Sequence, residues 1–211
     1  NGEKFIEEQI HSLLRQTHQN FTIIVSDDAS TDSTLSIVSK LAVLDNRIQI
    51  FQQKNNVGLN NNLNYLYTKS TSRYIALSDQ DDIWLPTKLE KSMIKLVSTS
   101  SNLVHTDLEL VSEDGLNISQ SKWQYSNTPP KAGTTFFSCI IKSPFTGCTF
   151  LLDRTLLNAA FPLPSSIQHH DKWISAIATY KFKVTYVNEP TIHYRQHVDN
   201  LIGTFKYGPL G

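Results

Sequence analysis

The segment Phe21-Thr22-Ile23-Ile24-Val25-Ser26-Asp27-Asp28 decides the predicted fold. Its first five residues are β-branched or aromatic and favour a strand, and two carboxylates follow shortly after them. Helical spacing of apolar side chains predicts a helix on either side, at residues 3–17 and at residues 35–42. The order helix, strand, helix therefore begins with the first residues of the chain.

The same alternation continues through the first half of the chain. Further strands are predicted at residues 47–51 and 74–77, with a helix at residues 59–67 between them. Strands that alternate with helices of crossover length indicate an α/β fold with a Rossmann-like, mostly parallel central sheet flanked by helices. Ligands of such sheets bind beyond the carboxyl ends of the strands, so residues that follow strands are the first candidates for a site.

The second half is less regular. Polar residues and a Pro-Pro pair at residues 117–144 predict a loop-rich insertion, and the whole chain of 211 residues fits one domain. The regular elements predicted around this insertion are a helix at 89–97, a strand at 103–111, a strand at 149–152, a helix at 171–180 and strands at 183–187 and 191–194.

Charge and cysteine content narrow the function classes. Lys plus Arg and Asp plus Glu both total 19, so no basic field is available and no nucleic-acid partner is expected. No apolar run approaches the roughly 20 residues of a membrane-spanning helix, and no signal peptide is recognised. Cys139 and Cys148 lack metal-ligand spacing and favour buried thiols in a reducing compartment, which predicts a cytoplasmic location.

Two acidic clusters follow predicted strands, namely Asp27-Asp28 and Asp79-Gln80-Asp81-Asp82. Three carboxylates within four residues repel one another unless a cation lies among them, and oxygen ligands suit Mg²⁺ or Mn²⁺. Since Mg²⁺ usually completes its shell with water and phosphate, the second cluster predicts a metal site that binds a diphosphate. Asp32 instead fits a turn or helix-capping role.

Other phosphate-binding classes are partly excluded. Neither Gly-x-x-x-x-Gly-Lys nor Gly-x-Gly-x-x-Gly occurs, which argues against a phosphate-loop ATPase and a dinucleotide dehydrogenase. A phosphoacceptor receiver domain and a phosphatase with an Asp nucleophile also place carboxylates at strand ends and stay open. A receiver needs a Lys at the end of a late strand, whereas Lys183 lies at the start of one.

Seven segments follow one another in a characteristic order: Asn1-Gly2, the 3–17 helix with Gln16, and residues 26–32, 55–58, 78–84, 170–173 and 194–197. Together they resemble family 2 of the glycosyltransferases, in particular its bacterial rhamnosyltransferase-like members, over residues 1 to about 203. The resemblance implies the glycosyltransferase A fold, a Rossmann-like α/β domain that uses a nucleoside-diphosphate sugar. It also implies an apolar first strand ahead of Asn1, which this sequence does not include.

The resemblance assigns roles to residues on the donor side of the site. Asp27 and Asp28 match an acidic pair that meets the nucleotide base and ribose, and Asn56 and Gly58 are further candidates for nucleotide contact. Residues 1–98 are accordingly expected to form a nucleotide-binding half and residues 99–211 an acceptor-binding half.

It also assigns the metal site and the catalytic base. Asp79 and Asp81 match an Asp-x-Asp pair that carries the ribose and the metal-bound diphosphate, with Asp82 as an adjacent ligand candidate. Asp171 matches the base that activates the acceptor.

Two further candidates follow the last predicted strand. Arg195 has the planar guanidinium that suits a diphosphate, and His197 is a candidate metal ligand beside it.

These roles predict a metal-dependent inverting glycosyltransferase that uses Mn²⁺ or Mg²⁺. It would transfer rhamnose or another hexose from a nucleoside-diphosphate sugar, with a dTDP-rhamnose-like donor favoured over UDP-sugars. The expected acceptor is a glycan or a lipid-linked sugar in cell-surface polysaccharide synthesis, which suits peripheral association with the inner face of the plasma membrane through segments outside this sequence. The alternative is a catalytically silent module that binds a nucleotide sugar or a glycan.

Overall fold

The computed structural model describes residues 1–130, 136–141 and 143–197. Helices and strands alternate along most of these ranges, and a short 3-10 turn, Gly147–Thr149, precedes one of the strands. The helices are α1 (Ile6–Leu14), α2 (Thr34–Leu44), α3 (Leu59–Lys69), α4 (Lys88–Thr99), α5 (Lys122–Tyr125), α6 (Phe136–Ile141), α7 (Arg154–Ala160) and α8 (His170–Lys181). The strands are β1 (Ile23–Asp27), β2 (Ile48–Gln52), β3 (Tyr74–Ala76), β4 (Ile83–Trp84), β5 (Leu103–Ser112), β6 (Asn117–Ser119), β7 (Leu151–Asp153) and β8 (Val184–Gln196).

The described strands form two sheets. β1 and β2 pair in parallel, with Ile23 opposite Ile48. The larger sheet has the strand order β3, β7, β5, β8, β4, and β6 pairs with the carboxyl-terminal end of β5. Within it, β5 and β8 are parallel, whereas β3–β7, β5–β7, β5–β6 and β4–β8 are antiparallel.

The Rossmann-like α/β class is confirmed, but the expectation of a mostly parallel sheet needs correction, because the sheet is mixed. The connections between strands differ in the direction in which they return the chain. A single helix, α2, connects β1 to β2 and returns the chain in the same direction. Two helices, α7 and α8, connect β7 to β8, so the chain reverses once more and β8 runs opposite to β7.

Helix α1 is fastened to the centre of the fold by apolar and polar contacts. Ile6, Ile10 and Leu13 form its buried face. The Gln16 side chain, which is fully buried, donates to the Leu85 carbonyl at 2.8 Å and accepts from the Leu89 N–H at 3.0 Å. These two bonds fix α1 to the connection between β4 and α4, directly after the second acidic cluster.

The larger sheet contains strands from both predicted halves, since β3 and β4 come from residues 1–98 and the others from residues 99–211. Helix α3 adds polar ties between the halves. The Asn64 side chain donates to the Leu163 carbonyl at 3.1 Å and accepts from the Leu163 N–H at 2.6 Å, and Asn60 donates to the Ile167 carbonyl. The separate functions of the two halves stay a prediction.

The predicted element bounds hold with local changes. Residues 183–187 and 191–194, predicted as two strands, belong to one long strand, β8, whose register against β5 shifts near Pro190. Residues 198–203, the last part of the family resemblance, lie outside the described residues. In the ranges that the structure describes, no helix combines the length and the apolar character that a bilayer crossing requires.

Candidate functional site

The Asp79-Gln80-Asp81-Asp82 segment connects the end of β3 to the start of β4. Just before it, the Ser78 hydroxyl accepts a hydrogen bond from the Gln9 side chain of α1. The Gln80 side chain packs on Gly2, where an added Cβ would lie 2.7 Å from its Oε1. The acidic segment is therefore supported by the amino-terminal residues and by α1.

Asp79, Asp82 and Cys148 form a compact group in which one ligand atom from each residue lies within 4.8 Å of the others. Asp82 is 1% exposed, and neither of its carboxylate oxygens has a well-formed hydrogen bond to the described residues. Burial, and then the charges of Asp79 and Asp81, raise the pKa of Asp82 well above its usual value. The Cys148 thiol and the Arg195 backbone N–H oppose this rise only weakly.

Asp171 lies beside this group. Burial raises the pKa of Asp79 to about 7, and the charges of Asp81 and Asp171 add to the rise. Asp171 is in the first turn of α8, and its Oδ1 accepts the N–H of Lys172 at 2.7 Å. The residue at the N-cap position is His169, so Asp171 does not cap the helix. The fold thus brings the predicted base close to the predicted metal ligands.

His197 and Arg195 also reach the second acidic cluster. The His197 Nε2 lies 2.9 Å from the Asp81 Oδ2. The Arg195 guanidinium donates to the carbonyls of Asp81 and Glu113, at 3.1 and 2.9 Å, and to the Glu8 carboxylate at 2.6 Å. Through these hydrogen bonds Arg195 connects β8 to α1 and to the acidic segment. Its direct contact with a diphosphate stays a prediction.

Asp28 is held by the turn that precedes α3. Its carboxylate oxygens accept the backbone N–H groups of Val57 and Gly58 at 2.8 and 2.9 Å. Gly58 is the N-cap of α3 and has a φ of 81°, which favours glycine. Asn56, in the same turn, is exposed. The predicted nucleotide contacts Asp28, Asn56 and Gly58 therefore lie together on one surface.

Asp27 and Asp32 differ in burial. Asp27 is 5% exposed; its Oδ2 accepts the Ser30 N–H at 3.1 Å, and its Oδ1 has no partner among the described residues. Asp32 accepts from the backbone N–H groups of Glu3 and Thr34, both at 3.0 Å, and from the Thr34 hydroxyl. Asp32 thus has the local turn role that its position in the sequence predicts.

The residues around Asp82 fit a hard divalent cation. A cation would neutralise the two carboxylates whose pKa values burial raises, and it would provide the partner that the Asp82 oxygens lack. Cys148 is fully buried, and burial raises the pKa of its thiol well above the usual value. A protonated thiol is a poor ligand for Mg²⁺ or Mn²⁺, so the carboxylates are the expected ligands.

Two lysines near the site were not predicted from the sequence. Lys88 is fully buried, with its Nζ 3.6 Å from the centre of the Trp84 ring, and burial lowers its pKa to about 7. The Lys122 Nζ donates to the Thr146 hydroxyl at 2.6 Å. Burial lowers the pKa of Lys122, while the nearby Cys148 and Asp171 groups oppose that shift. Lysines in helices are usually exposed, so the sequence does not indicate that these two side chains are buried.

Three asparagines of α3 use their side chains for contacts within the fold. Asn60 and Asn64 bond to the segment that precedes α8, and Asn62 donates to the Ser26 carbonyl at 2.9 Å. Amide side chains can satisfy buried backbone groups, and their type alone does not distinguish this use from solvent exposure.

Comparison with known sequences identifies relatives that are named as glycosyltransferases. The chain is 28% identical over 210 residues to the putative teichuronic acid biosynthesis glycosyltransferase TuaG of Bacillus subtilis, covering 98% of this chain and 79% of TuaG. It is 29% identical over 233 residues to the dTDP-rhamnosyl transferase RfbG of Shigella flexneri, covering 100% of this chain and 76% of RfbG.

Solved structures share the fold. Staphylococcus aureus TarS 1–349 in complex with UDP-GlcNAc superposes with a TM-score of 0.71 at 19% identity, covering 94% of this chain and 57% of that one. The mannosyltransferase PcManGT from Pyrobaculum calidifontis, in complex with GDP-Man and Mn²⁺, gives a TM-score of 0.70 at 18% identity, covering 90% of this chain and 52% of that one. These likenesses confirm the glycosyltransferase A fold.

The family model described as glycosyl transferase family 2 matches residues 1–161, which include β1, both acidic clusters and β5. No receiver domain or phosphatase is needed to explain carboxylates at these strand ends. The chain belongs to glycosyl transferase family 2.

Proposed function

We propose that this chain is the catalytic domain of a metal-dependent, inverting glycosyltransferase that uses a nucleoside-diphosphate sugar. One observation carries the proposal: His170, the neighbour of Asp171 in the first turn of α8, packs on Gly147, and the next residue, Cys148, has its sulfur within 4.8 Å of ligand atoms of Asp79 and Asp82. A base and a cation site side by side are what transfer from a diphosphate leaving group to a hydroxyl requires.

Asp79 and Asp82 would hold Mn²⁺ or Mg²⁺, with Asp81 and its neighbour His197 at the edge of the site. When bound, the cation supplies positive charge for the diphosphate that leaves. The structures that resemble this chain include one with GDP-Man and Mn²⁺, which supports a divalent ion in this fold.

The Asp171 carboxylate would accept the proton of the acceptor hydroxyl. As that proton moves, the acceptor oxygen forms a bond to the anomeric carbon of the donor sugar, and the bond from that carbon to the diphosphate oxygen breaks. The electron pair of the broken bond stays with the diphosphate. Attack from the side opposite the leaving group inverts the anomeric configuration, and a base contributes about 10²- to 10⁴-fold to such a step.

Asp27 and Asp28 would bind the base and ribose of the donor. Asp28 already holds the N–H groups of Val57 and Gly58, so its contribution includes shaping the turn on which the nucleotide would lie. Asn56 is exposed on the same turn and is free to approach a ligand.

The names of two relatives support a choice of substrate class to test. RfbG is described as a dTDP-rhamnosyl transferase and TuaG as acting in teichuronic acid biosynthesis. We therefore propose a hexose or deoxyhexose donor, with dTDP-rhamnose first among those to test. The proposed acceptor is a glycan or lipid-linked sugar at the inner face of the plasma membrane.

The test is a panel of dTDP-, UDP- and GDP-sugars incubated with the protein and with glycan and lipid-linked sugar acceptors, with release of the nucleoside diphosphate measured in Mn²⁺ and in EDTA. We expect release from one donor class in Mn²⁺ and none in EDTA. The Asp82→Asn variant is expected to lose the response to Mn²⁺, whereas Asp32→Asn, a matched change outside the site, is expected to keep it. Metal-dependent donor binding without turnover would indicate the silent binding module instead.

A further inference from the structure

The short turn at residues 146–148 contacts Lys122 at one end and the acidic cluster at the other. Thr146 accepts the hydrogen bond from Lys122, and the Cys148 sulfur lies within 4.8 Å of ligand atoms of Asp79 and Asp82. The turn is also attached to β3, since the Leu77 N–H, two residues before Asp79, donates to the Phe150 carbonyl at 3.3 Å. The turn therefore has a fixed position relative to the acidic cluster.

The middle residue of the turn, Gly147, is in close contact with the start of α8. A Cβ built on Gly147 would lie 2.6 Å from the His170 Nε2 and 3.5 Å from two further ring atoms. Real Cβ atoms do not come this close to another atom, so the imidazole of His170 has to move if residue 147 is anything but glycine. His170 is the first residue of α8 and directly precedes Asp171.

A second contact limits how α8 could adjust. The Trp173 Nε1 donates to the Ala160 carbonyl at 2.8 Å, and Ile174 is fully buried one residue later. The first turn of α8 is thus held by Trp173 on one side and by His170 on the other.

We propose that the contact between Gly147 and His170 is a positioning device that sets where Asp171 lies relative to the acidic cluster. The inference rests on the proposed function, because it assigns Asp171 the role of base. Neither residue needs to touch substrate. A displacement of about 1 Å at a reacting group can lower a rate by about 10²-fold, so a small shift of this helix end has a measurable effect.

The test compares Gly147→Ala, His170→Ala and the double variant in release of nucleoside diphosphate from the donor that the wild-type protein consumes. Gly147→Ala is expected to lower kcat about 10-fold or more and to leave the KM for the donor within about twofold. The double variant is expected to resemble His170→Ala, because without the imidazole the methyl group added at residue 147 no longer meets the ring atoms that it would displace. Losses that multiply in the double variant would overturn the proposal.

A glycine outside the site provides the control. Gly115→Ala alters the turn between β5 and β6, where φ is +80° and no atom lies within 4 Å of an added Cβ. It is expected to lower the melting temperature without changing kcat, which separates loss of stability from loss of position.

A measurement that needs no turnover distinguishes failure of this inference from failure of the proposed function. Amide hydrogen exchange in a peptide covering residues 168–176 is expected to be faster in Gly147→Ala than in the wild-type protein and unchanged in Gly115→Ala. Equal exchange in all three proteins would contradict the positioning role, even if no donor were consumed.

Discussion

The two acidic clusters lie at or just beyond the ends of β1 and β3, yet their carboxylates differ in how many hydrogen-bond partners they have. Asp28 accepts two backbone N–H groups, and Asp27 accepts one. Asp82 has no well-formed partner, although it is buried, and the pKa values of both Asp79 and Asp82 are raised. A carboxylate whose oxygens accept backbone N–H groups contributes to local structure, whereas carboxylates that repel one another with few partners favour binding of a cation or a proton.

The largest expected effect comes from removing the group that faces the unsatisfied cluster. Asp171→Asn keeps the size of the side chain but cannot accept the proton, so transfer is expected to fall by about 10²- to 10⁴-fold. Donor binding should be unchanged, which calorimetry with the active donor and Mn²⁺ would measure. Unchanged transfer would remove Asp171 from the mechanism and leave the cluster without an assigned base.

The second prediction concerns the pH dependence of the cluster itself. Because folding raises the pKa of Asp79 to about 7, the folded state binds a proton that the unfolded state releases near pH 4. The contribution of Asp79 to the free energy of unfolding in EDTA should therefore be largest near pH 4 and fall as the pH rises towards 7. Thermal unfolding between pH 5 and 8 would measure the decline, which Mn²⁺ should reduce.

The matched variant is Asp79→Asn, which should flatten the same profile and abolish the effect of Mn²⁺. A variant with the slope and the metal response of the wild-type protein would show that Asp79 is not part of a cation site.

Substitution in the first cluster, at Asp28, should affect stability and not the response to Mn²⁺. Asp28→Asn replaces one acceptor with an amide that faces a backbone N–H, so a loss of about 1–2 kcal/mol in the free energy of unfolding is expected. The stabilisation by Mn²⁺ should be retained, as urea unfolding with and without the ion would show. If Asp28→Asn lost the stabilisation by Mn²⁺, both clusters would belong to one metal site and the distinction between them would be wrong.

The smallest effect is expected at Asp32, which lies beside the first cluster and is only half-buried. Burial opposes the shift, but hydrogen bonds from the Thr34 side chain and from the Glu3 and Thr34 backbone lower its pKa to about 2. Its contribution to stability is therefore present above about pH 4 and is lost as the pH falls towards 2. Asp32→Asn should lower the melting temperature by less than about 2 °C at pH 7, and the difference should vanish near pH 2.

The sequence predicts most elements because apolar periodicity and turn residues act locally. It locates β1, β3 and the two acidic clusters, and its family resemblance identifies Asp171 and His197 as site candidates. The mixed sheet is not predicted, because strand direction depends on how the helices between strands pack, which periodicity does not encode.

The parts of the site that were missed depend on tertiary contacts. Lys88 and Lys122 are polar residues on helices, and only the packing of Trp84 and Thr146 against them reveals their burial. Gly147 has no positive φ to mark it, and its contact is with a residue far along the chain, His170. Such contacts follow from the assembled fold and have no counterpart in the local pattern.

The ties between the two halves of the chain limit how the enzyme can exchange its ligands. Strands β3 and β4 share a sheet with β5, β7 and β8, and the Asn64 side chain makes two hydrogen bonds to Leu163. A hinge motion of the two halves about residue 98 would have to break these contacts. If the proposed function is right, nucleotide entry and departure would involve side chains and short connecting segments and not a hinge between the two halves.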